Sequence, residues 1–555
     1  MKKIELMFKP RTSSIKSRFI VLSLSFNFLR IYRGSKYYID SSRVKNLLFK
    51  RNRKEFVSYI ALQKSKQKKI ENWYATSIAS HSNLQTDFYD NLIGLLTAEY
   101  YVKHGICDVV IVDDYRLYKL LNDNFDFKIS VSSYFNFLFT RFKDFIKNIC
   151  ILFLSRGRFF FRIVASQILM NPEMKDVKDS VFLYTWLEER CFSKGNFQEQ
   201  YLTGLEGIKF SKGTTVFLSY YANYSLVKYF DLIQLSITGL QNYFSIFKFI
   251  KLFFKFPSFE KINPIYKNLN IDYLWKFEKI KELTKSNFIM NLLEYEAWID
   301  FFEDANGILV YPFENQPWEK LMLLARRKVK NADFKLYGYQ HGAIGLNFLS
   351  YMSSELEMKS LDLPDAIIAN SDDNKNYLKK HFKGFCNIFD GGSLRYKENI
   401  RHSKAIDLEN IVIGVFLPIA RNQALDLLFH IIDESEKTYF KFLIKSHPNT
   451  NISHIKLNSN SFHYKDTAKN LYDISDGIVY CSSSSGSEAY SMGIPIFRYQ
   501  GYHIDYLMGE NSFQPKVIHS ILDIKVEDLK KTGYSGKNNL YSKVDWKFWQ
   551  NLLNQ

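Results

Sequence analysis

One short segment constrains this chain more than any other. Gly477-Ile-Val-Tyr480 is an apolar run of the kind that forms a buried parallel strand. Cys481, then Ser482, Ser483, Ser484, Ser485 and Gly486 follow, and after them a stretch with helical spacing closed by Gly493 and Pro495. A strand, a hydroxyl-rich turn and a helix start make a cradle for an anion, because free backbone N–H groups and the positive end of the helix dipole meet there. The serine hydroxyls add donors. Gly486 leaves the backbone open to a ligand. Glu488, one turn into the helix, is placed to accept from ribose hydroxyls.

A second element lies upstream. Phe440-Lys-Phe-Leu-Ile-Lys445 reads as another buried strand and runs into Ser446-His447-Pro448-Asn449. Pro448 cannot continue a ladder, so the chain turns and presents His447 at the strand end. Ligands of open α/β sheets collect outside the carboxyl ends of strands. Lys445, His447, Pro448 and the serine turn can therefore converge on one phosphate. Taken singly, a serine turn can be only a helix cap and a His-Pro only a turn. Their order and spacing give the pair its weight.

Lys-Ser-His-Pro followed by Ser-Ser-Ser-x-Gly-x-Glu-Ala-x-x-x-Gly-x-Pro resembles the C-terminal half of GT-B glycosyltransferases that use CMP-activated ulosonic acids, the bacterial Kdo and sialic acid transferases. Tyr311-Pro-Phe-Glu-Asn-Gln-Pro-Trp-Glu319 and Tyr337-Gly-Tyr-Gln-His-Gly342 resemble a family of bacterial surface-carbohydrate biosynthesis proteins. The likeness covers roughly residues 300 to 500. It implies an α/β, GT-B fold, with two Rossmann-like domains facing an interdomain cleft. It also implies a transferase of surface-polysaccharide synthesis (lipopolysaccharide, O-antigen or capsule), with a CMP-linked donor and a glycan or lipid-linked acceptor. CMP carries one phosphate, so neither a metal nor another cofactor is expected.

In that reaction the leaving CMP develops charge, and preorganised donors near its phosphate stabilise it. Lys445, His447 and the serines fit this task. The acceptor hydroxyl must lose a proton to a carboxylate on the first domain. Glu314, just after the strand Gly307–Tyr311, is the leading candidate; Glu188, Glu189, Asp113 and Asp114 stand at other strand ends. Glu319 lies on a helix and suits a pairing with Lys or Arg. Gln340 and His341 follow the neighbouring strand and suit the acceptor side, where His341 would lie close to Glu314.

At 555 residues the chain is long enough for two or three domains. The strand and helix signals place an N-terminal domain at 1–395, a nucleotide-sugar domain at 396–540 and a final helix at 541–555, and the GT-B resemblance implies that this helix packs back on the first domain. The first domain carries helical insertions at about 131–175 and 225–303. Five scattered cysteines with no CxxC pair give neither a zinc site nor a disulfide framework and suit a reducing cytoplasm. The start does not read as a signal peptide, and no run approaches the ~20 apolar residues of a membrane span.

The formal net charge of +18 would suit nucleic acid, yet no recognisable nucleic-acid motif is present and none is expected as partner. The basic residues are instead interleaved with Phe and Ile, at Phe244–Phe256 (Lys248, Lys251, Lys255) and at Arg141–Arg162. Such segments suit the anionic inner face of a membrane. They also suit core helices whose lysines reach out to water. Rival readings are a CDP-glycerol-type polyol-phosphate transferase, a UDP- or GDP-sugar transferase, and a non-catalytic basic binding protein.

Overall fold

The computed structural model describes residues 4–554 except 170–179, 209–214, 222–235, 396–405, 456–460, 502–514, 531–540 and shorter runs of one to four residues. Glu188, Glu189 and Pro448 lie outside the described residues. Three parallel sheets carry the described chain.

The first is small. β1 (Glu5–Phe8), β2 (Phe19–Leu22), β3 (Val109–Val112) and β4 (Lys128–Ile129) pair in the order β2-β3-β1-β4. Helix α1 (Phe26–Arg33) follows β2, α2 (Tyr115–Asn124) follows β3, and the 39-residue α3 (Val131–Leu169) follows β4. Of this sheet only β3, the strand before Asp113 and Asp114, was expected. Its strands are four residues or shorter and lie between basic segments, so their apolar signal is weak.

The second sheet contains β5 (Ser180–Leu187), β6 (Thr215–Tyr221), β7 (Ser236–Gly239), β8 (Gly307–Pro312), β9 (Lys335–Gln340), β10 (Ala366–Ala369) and β11 (Asn387–Asp390). Its order is β11-β10-β9-β8-β5-β6-β7, all parallel. Helix α4 (Ile246–Phe253) follows β7, and α5 (Pro317–Val329) follows β8. The expected helical run at 225–303 is thus interrupted by β7 and by a hairpin at 265–270. Both are two to four residues long, too short to outweigh the helical spacing around them.

The third sheet contains β12 (Val412–Phe416), β13 (Lys441–Lys445), β14 (Ser461–His463), β15 (Gly477–Tyr480), β16 (Ile496–Tyr499) and β17 (Lys516–Ile518), in the order β14-β13-β12-β15-β16-β17. Helix α6 (Arg421–Glu434) follows β12, α7 (Ser484–Ser491) follows β15, and α8 (Trp546–Leu553) ends the described chain. Numbered within each sheet, the second runs 3-2-1-4-5-6-7 and the third 3-2-1-4-5-6, the doubly wound pattern whose direction reverses between strands one and four. Two such units in succession are the GT-B arrangement.

Packing joins the three sheets. One apolar cluster includes Phe8 and Val110 of the first sheet with Phe182 and Leu309 of the second, so these two share a core. The opposite face of the second sheet is covered by α8: Trp549 is fully buried against Tyr339, and its Nε1 donates to Gly391 O at 2.9 Å. The segment leading into α8 crosses between units. Tyr541 bonds Ser487 on α7 at 2.8 Å, while Ser542 N donates to Asn370 O and Ser542 Oγ to Asp390 at the end of the second sheet. Gly392 (φ +75°) is required at this crossing, because a Cβ there would stand 2.3 Å from Lys543 O. On the other side, Arg30 of α1 pairs with Asp433 of α6 at 3.0 Å and lies over the Phe429 ring.

Trp549→Ala would open a cavity under the second sheet and leave the Gly391 carbonyl without this donor. The expected loss is about 3–5 kcal/mol, read as a lower urea midpoint.

Candidate functional site

The third sheet ends level. Phe416 stands opposite Lys445 on one side and Tyr480 on the other, so β12, β13 and β15 terminate in register. The order of strands reverses between β12 and β15, and the loop 417–420 leaves from that gap. It is tied on both flanks. Leu417 N donates to Lys445 O at 3.0 Å, and Thr450, whose N–H donates to His447 O, gives its hydroxyl to Ile419 O at 2.8 Å. On the other flank, Ser482 Oγ donates to Gln423 Oε1 of α6 at 2.5 Å. The turn that carries His447 and the turn that carries the serines are thus fastened to one switch-point loop and its helix. His447, Lys445 and Ser482 to Ser485 are all partly exposed.

Helix α7 starts at this turn because Ser483 caps it, its Oγ accepting from Ser485 N at 3.2 Å. Two expectations change here. A Cβ on Gly486 would stand 2.5 Å from the Tyr480 ring, so close packing of α7 on β15 demands this glycine, not the approach of a ligand. Glu488 is not held out for ribose hydroxyls: Ser484 donates to its Oε1 at 3.3 Å and Tyr472 to its Oε2 at 3.1 Å.

At the end of the second sheet, β8 and β9 deliver Glu314 and His341 side by side. His341 Nε2 lies 3.0 Å from Glu314 Oε1. The Tyr201 ring meets the imidazole edge-on at 5.0 Å. The Glu314 side chain is 36 % exposed and His341 10 %, so the carboxylate faces solvent with the imidazole behind it. His341 Nδ1 has no partner among the described residues. A carboxylate backed by an imidazole can accept a proton and share it. Among the described residues Glu319 pairs with no Lys or Arg. It caps α5, accepting the N–H groups of Glu314 (3.0 Å) and Gln316 (2.9 Å), and burial pushes its carboxyl well above the usual range. Gln340 is fully buried and accepts from Asn370 N, so it braces the β9–β10 junction and cannot reach an acceptor.

Asp113 and Asp114 end β3 of the first sheet. Asp114 caps α2 and is clamped by Arg116, which also pairs with Asp87 and lies over Phe277. That use is structural. Asp113 is different: burial pushes its carboxyl up to about 6. Both line a cavity of about 410 Å³ together with Lys9, Thr140, Asp144 and, from α6, Asn422. Asn422 adjoins Gln423, the residue that holds Ser482. On the α6 side the cavity is bounded by Asn422, the sequence neighbour of Gln423.

Lys9, Asn422, Gln423 and Tyr201 are thus part of these surroundings, and sequence reading did not find them. Asn422 and Gln423 had a usable signal, since they lie in the first turn of the helix that follows β12 and Pro418. Lys9 and Tyr201 had none.

No protein-family model matches the chain, and no curated protein matches it either. Solved structures resemble it distantly. The UDP-GlcNAc 2-epimerase of Methanocaldococcus jannaschii shares 11 % identity over 68 % of this chain and 98 % of its own, with a TM-score of 0.34. TarM of S. aureus shares 12 % over 68 % and 99 %, with a TM-score of 0.37. The glycosyltransferase SnogD of Streptomyces nogalater shares 10 % over 58 % and 82 %, with a TM-score of 0.31. No activity transfers at these values.

An unfolded aspartate releases its proton near 3.8, whereas folded Asp113 holds it to about 6. The folded state binds the extra proton between these values. Its contribution to stability is complete below the lower value and lost as pH rises through the higher one. Asp113→Asn should remove that loss. Urea unfolding at about pH 4 and about pH 7 should show the wild type losing more stability than the variant over this interval.

Proposed function

We propose that this chain is a glycosyltransferase of bacterial surface-polysaccharide synthesis. It moves a ulosonic acid from a CMP-activated donor to a glycan or lipid-linked acceptor. The observation that carries the reading is the fastening of the His447 turn and the serine turn to one switch-point loop of a doubly wound sheet. That is where such sheets bind nucleotides.

On this reading the CMP phosphate sits between the two turns. Lys445, the hydroxyls of Ser482 to Ser485 and the N–H groups at the start of α7 face the charge that develops as the bond from the anomeric carbon to the phosphate oxygen breaks. His447 donates a hydrogen bond to the leaving phosphate. The anomeric carbon passes through an oxocarbenium-like state, and the acceptor oxygen attacks it. Glu314 takes the acceptor proton, with His341 holding the carboxylate and sharing the charge. Asp113 is the second candidate for the base. It lines the cavity bounded by Asn422 of α6, and its raised carboxyl is ionised above about pH 6.

The purified chain should release CMP from CMP-ulosonates and leave UDP- and GDP-sugars and CDP-glycerol intact. Release from one of those instead would reassign the donor, and binding of none would remove the transferase reading. Glu314→Gln should lower kcat by about 10²–10⁴-fold with little change in donor KM. If Asp113→Asn does so and Glu314→Gln does not, the base lies in the cavity. Full turnover by His447→Ala would remove His447 from the donor site.

A further inference from the structure

Helix α3 is amphipathic the wrong way round for a water-soluble protein. With about 100° per residue, Phe135, Phe139, Phe142, Phe145, Ile149 and Phe153 fall on one stripe. A surface helix normally turns such a stripe to the core. Here the five phenylalanines are 61–71 % exposed. The opposite side faces the protein. Ser133 Oγ accepts from Phe8 N at 3.1 Å, Phe137 is buried against Phe8 and Tyr118, and Thr140 and Asp144 line the cavity beside Asp113. The inward anchoring leaves the apolar stripe exposed and uncovered by the described residues.

We infer that the outer face of α3 is a docking surface for an anionic lipid bilayer. Charge selects this occupant. Exposed Arg141 borders the stripe on one side and exposed Lys143 and Lys147 on the other, and Asp144, which faces the cavity, is the only acid in the helix. Apolar side chains in the acyl boundary with basic residues at the headgroups are the pattern of a helix lying in the membrane plane. A second copy of this chain would bring like charges together, on proteins that each carry +18. An anionic bilayer neutralises them instead. The helix lies on the surface and does not cross: among the described residues, no helix is long and apolar enough to span a membrane. The second basic-aromatic segment contributes less than its sequence suggests. Lys248 of α4 is paired with Asp300, Lys255 is half-buried, and of its three lysines Lys251 alone is exposed.

A bilayer on the stripe would lie about one helix diameter, roughly 10–12 Å, from the cavity on the inner side of α3. If the transferase reading holds, the headgroup of a lipid-linked acceptor can enter there; the docking itself does not depend on that reading.

Vesicle flotation of the full chain tests it without any donor. The wild type should float with phosphatidylcholine vesicles containing about 30 % phosphatidylglycerol, more weakly in high salt, and poorly with phosphatidylcholine alone. Replacing Phe139, Phe142 and Phe145 by Ser should weaken partitioning about tenfold per residue, with the melting temperature kept because the side chains are exposed. Changing Arg141, Lys143 and Lys147 to Gln should cost about fivefold per charge. No flotation of the wild type, or equal flotation of the serine variant, overturns the inference. So does wild-type self-association without lipid that the serine variant abolishes while neither floats, because that assigns the face to a second copy.

Discussion

Phe416 pairs with Lys445 on one flank and Tyr480 on the other, and the arrangement of the candidate donor site follows from that register. Parallel strands buried on both faces have little freedom to slip, because a one-residue shift would move every side chain to the opposite face. Three strands that end level bring three loops to one rim. Pro418 cannot extend β12, Cys481 is buried, and the Pro418 and Ile419 carbonyls of the loop after β12 accept from Thr450. The sheet therefore fixes where hydroxyls and imidazole can stand before any ligand arrives. Such preorganisation is what stabilising a leaving anion requires.

The first sheet meets the second through buried charge as well as apolar area. Lys320 of α5 donates to Ala79 O and lies 3.4 Å from Glu357, and His81 lies 3.7 Å from the same carboxylate. Burial opposes ionisation of Glu357, yet His81, Lys320 and Lys64 together hold its carboxyl below the usual range. Burial also lowers His81 to about 4, which leaves its imidazole neutral near pH 7. Lys320 is then the charged partner that touches Glu357. Buried pairs of this kind contribute little net stability but penalise any arrangement that separates them. The small sheet is thereby held in one orientation on the second unit, the one in which its own strand ends face α6.

Much of the α/β framework was legible from its strands: Gly307–Tyr311 and Gly477–Tyr480 read as apolar runs and are buried almost throughout, while Phe440–Lys445 alternates buried apolar residues with exposed or half-buried positions. The adjacency of Glu314 and His341 was legible too, since both follow neighbouring strands directly. What escaped depends on contacts across the chain. Nothing local marks Gln423 as the partner of Ser482, 59 positions away. Gly486 has the composition of a ligand turn, but its neighbour is the Tyr480 ring, which only packing reveals. Glu319 three residues after Gln316 is a capping box that could have been read, because the buried N–H groups of a helix start need an acceptor. Of the first sheet only β3 was legible, as the run before Asp113 and Asp114; its partners escaped because four-residue strands in basic surroundings bury their apolar side chains only through a core shared with the second sheet.

That shared core explains why one helix can face two environments. Ser133 and Phe137 fasten the start of α3 to β1 and α2, and the long helix then runs on beyond them. Its polar side inherits the cavity beside Asp113. Its apolar side is left exposed by the described residues. Without the small sheet there would be neither an anchor for α3 nor strand ends to close the cavity against α6. The N-terminal sheet beside two doubly wound units thus gives one helix an exposed apolar stripe on its outer side and, on its inner side, part of a cavity that reaches Asn422 of α6. On the proposed reading, it is where a membrane-bound acceptor and a nucleotide-linked sugar would meet.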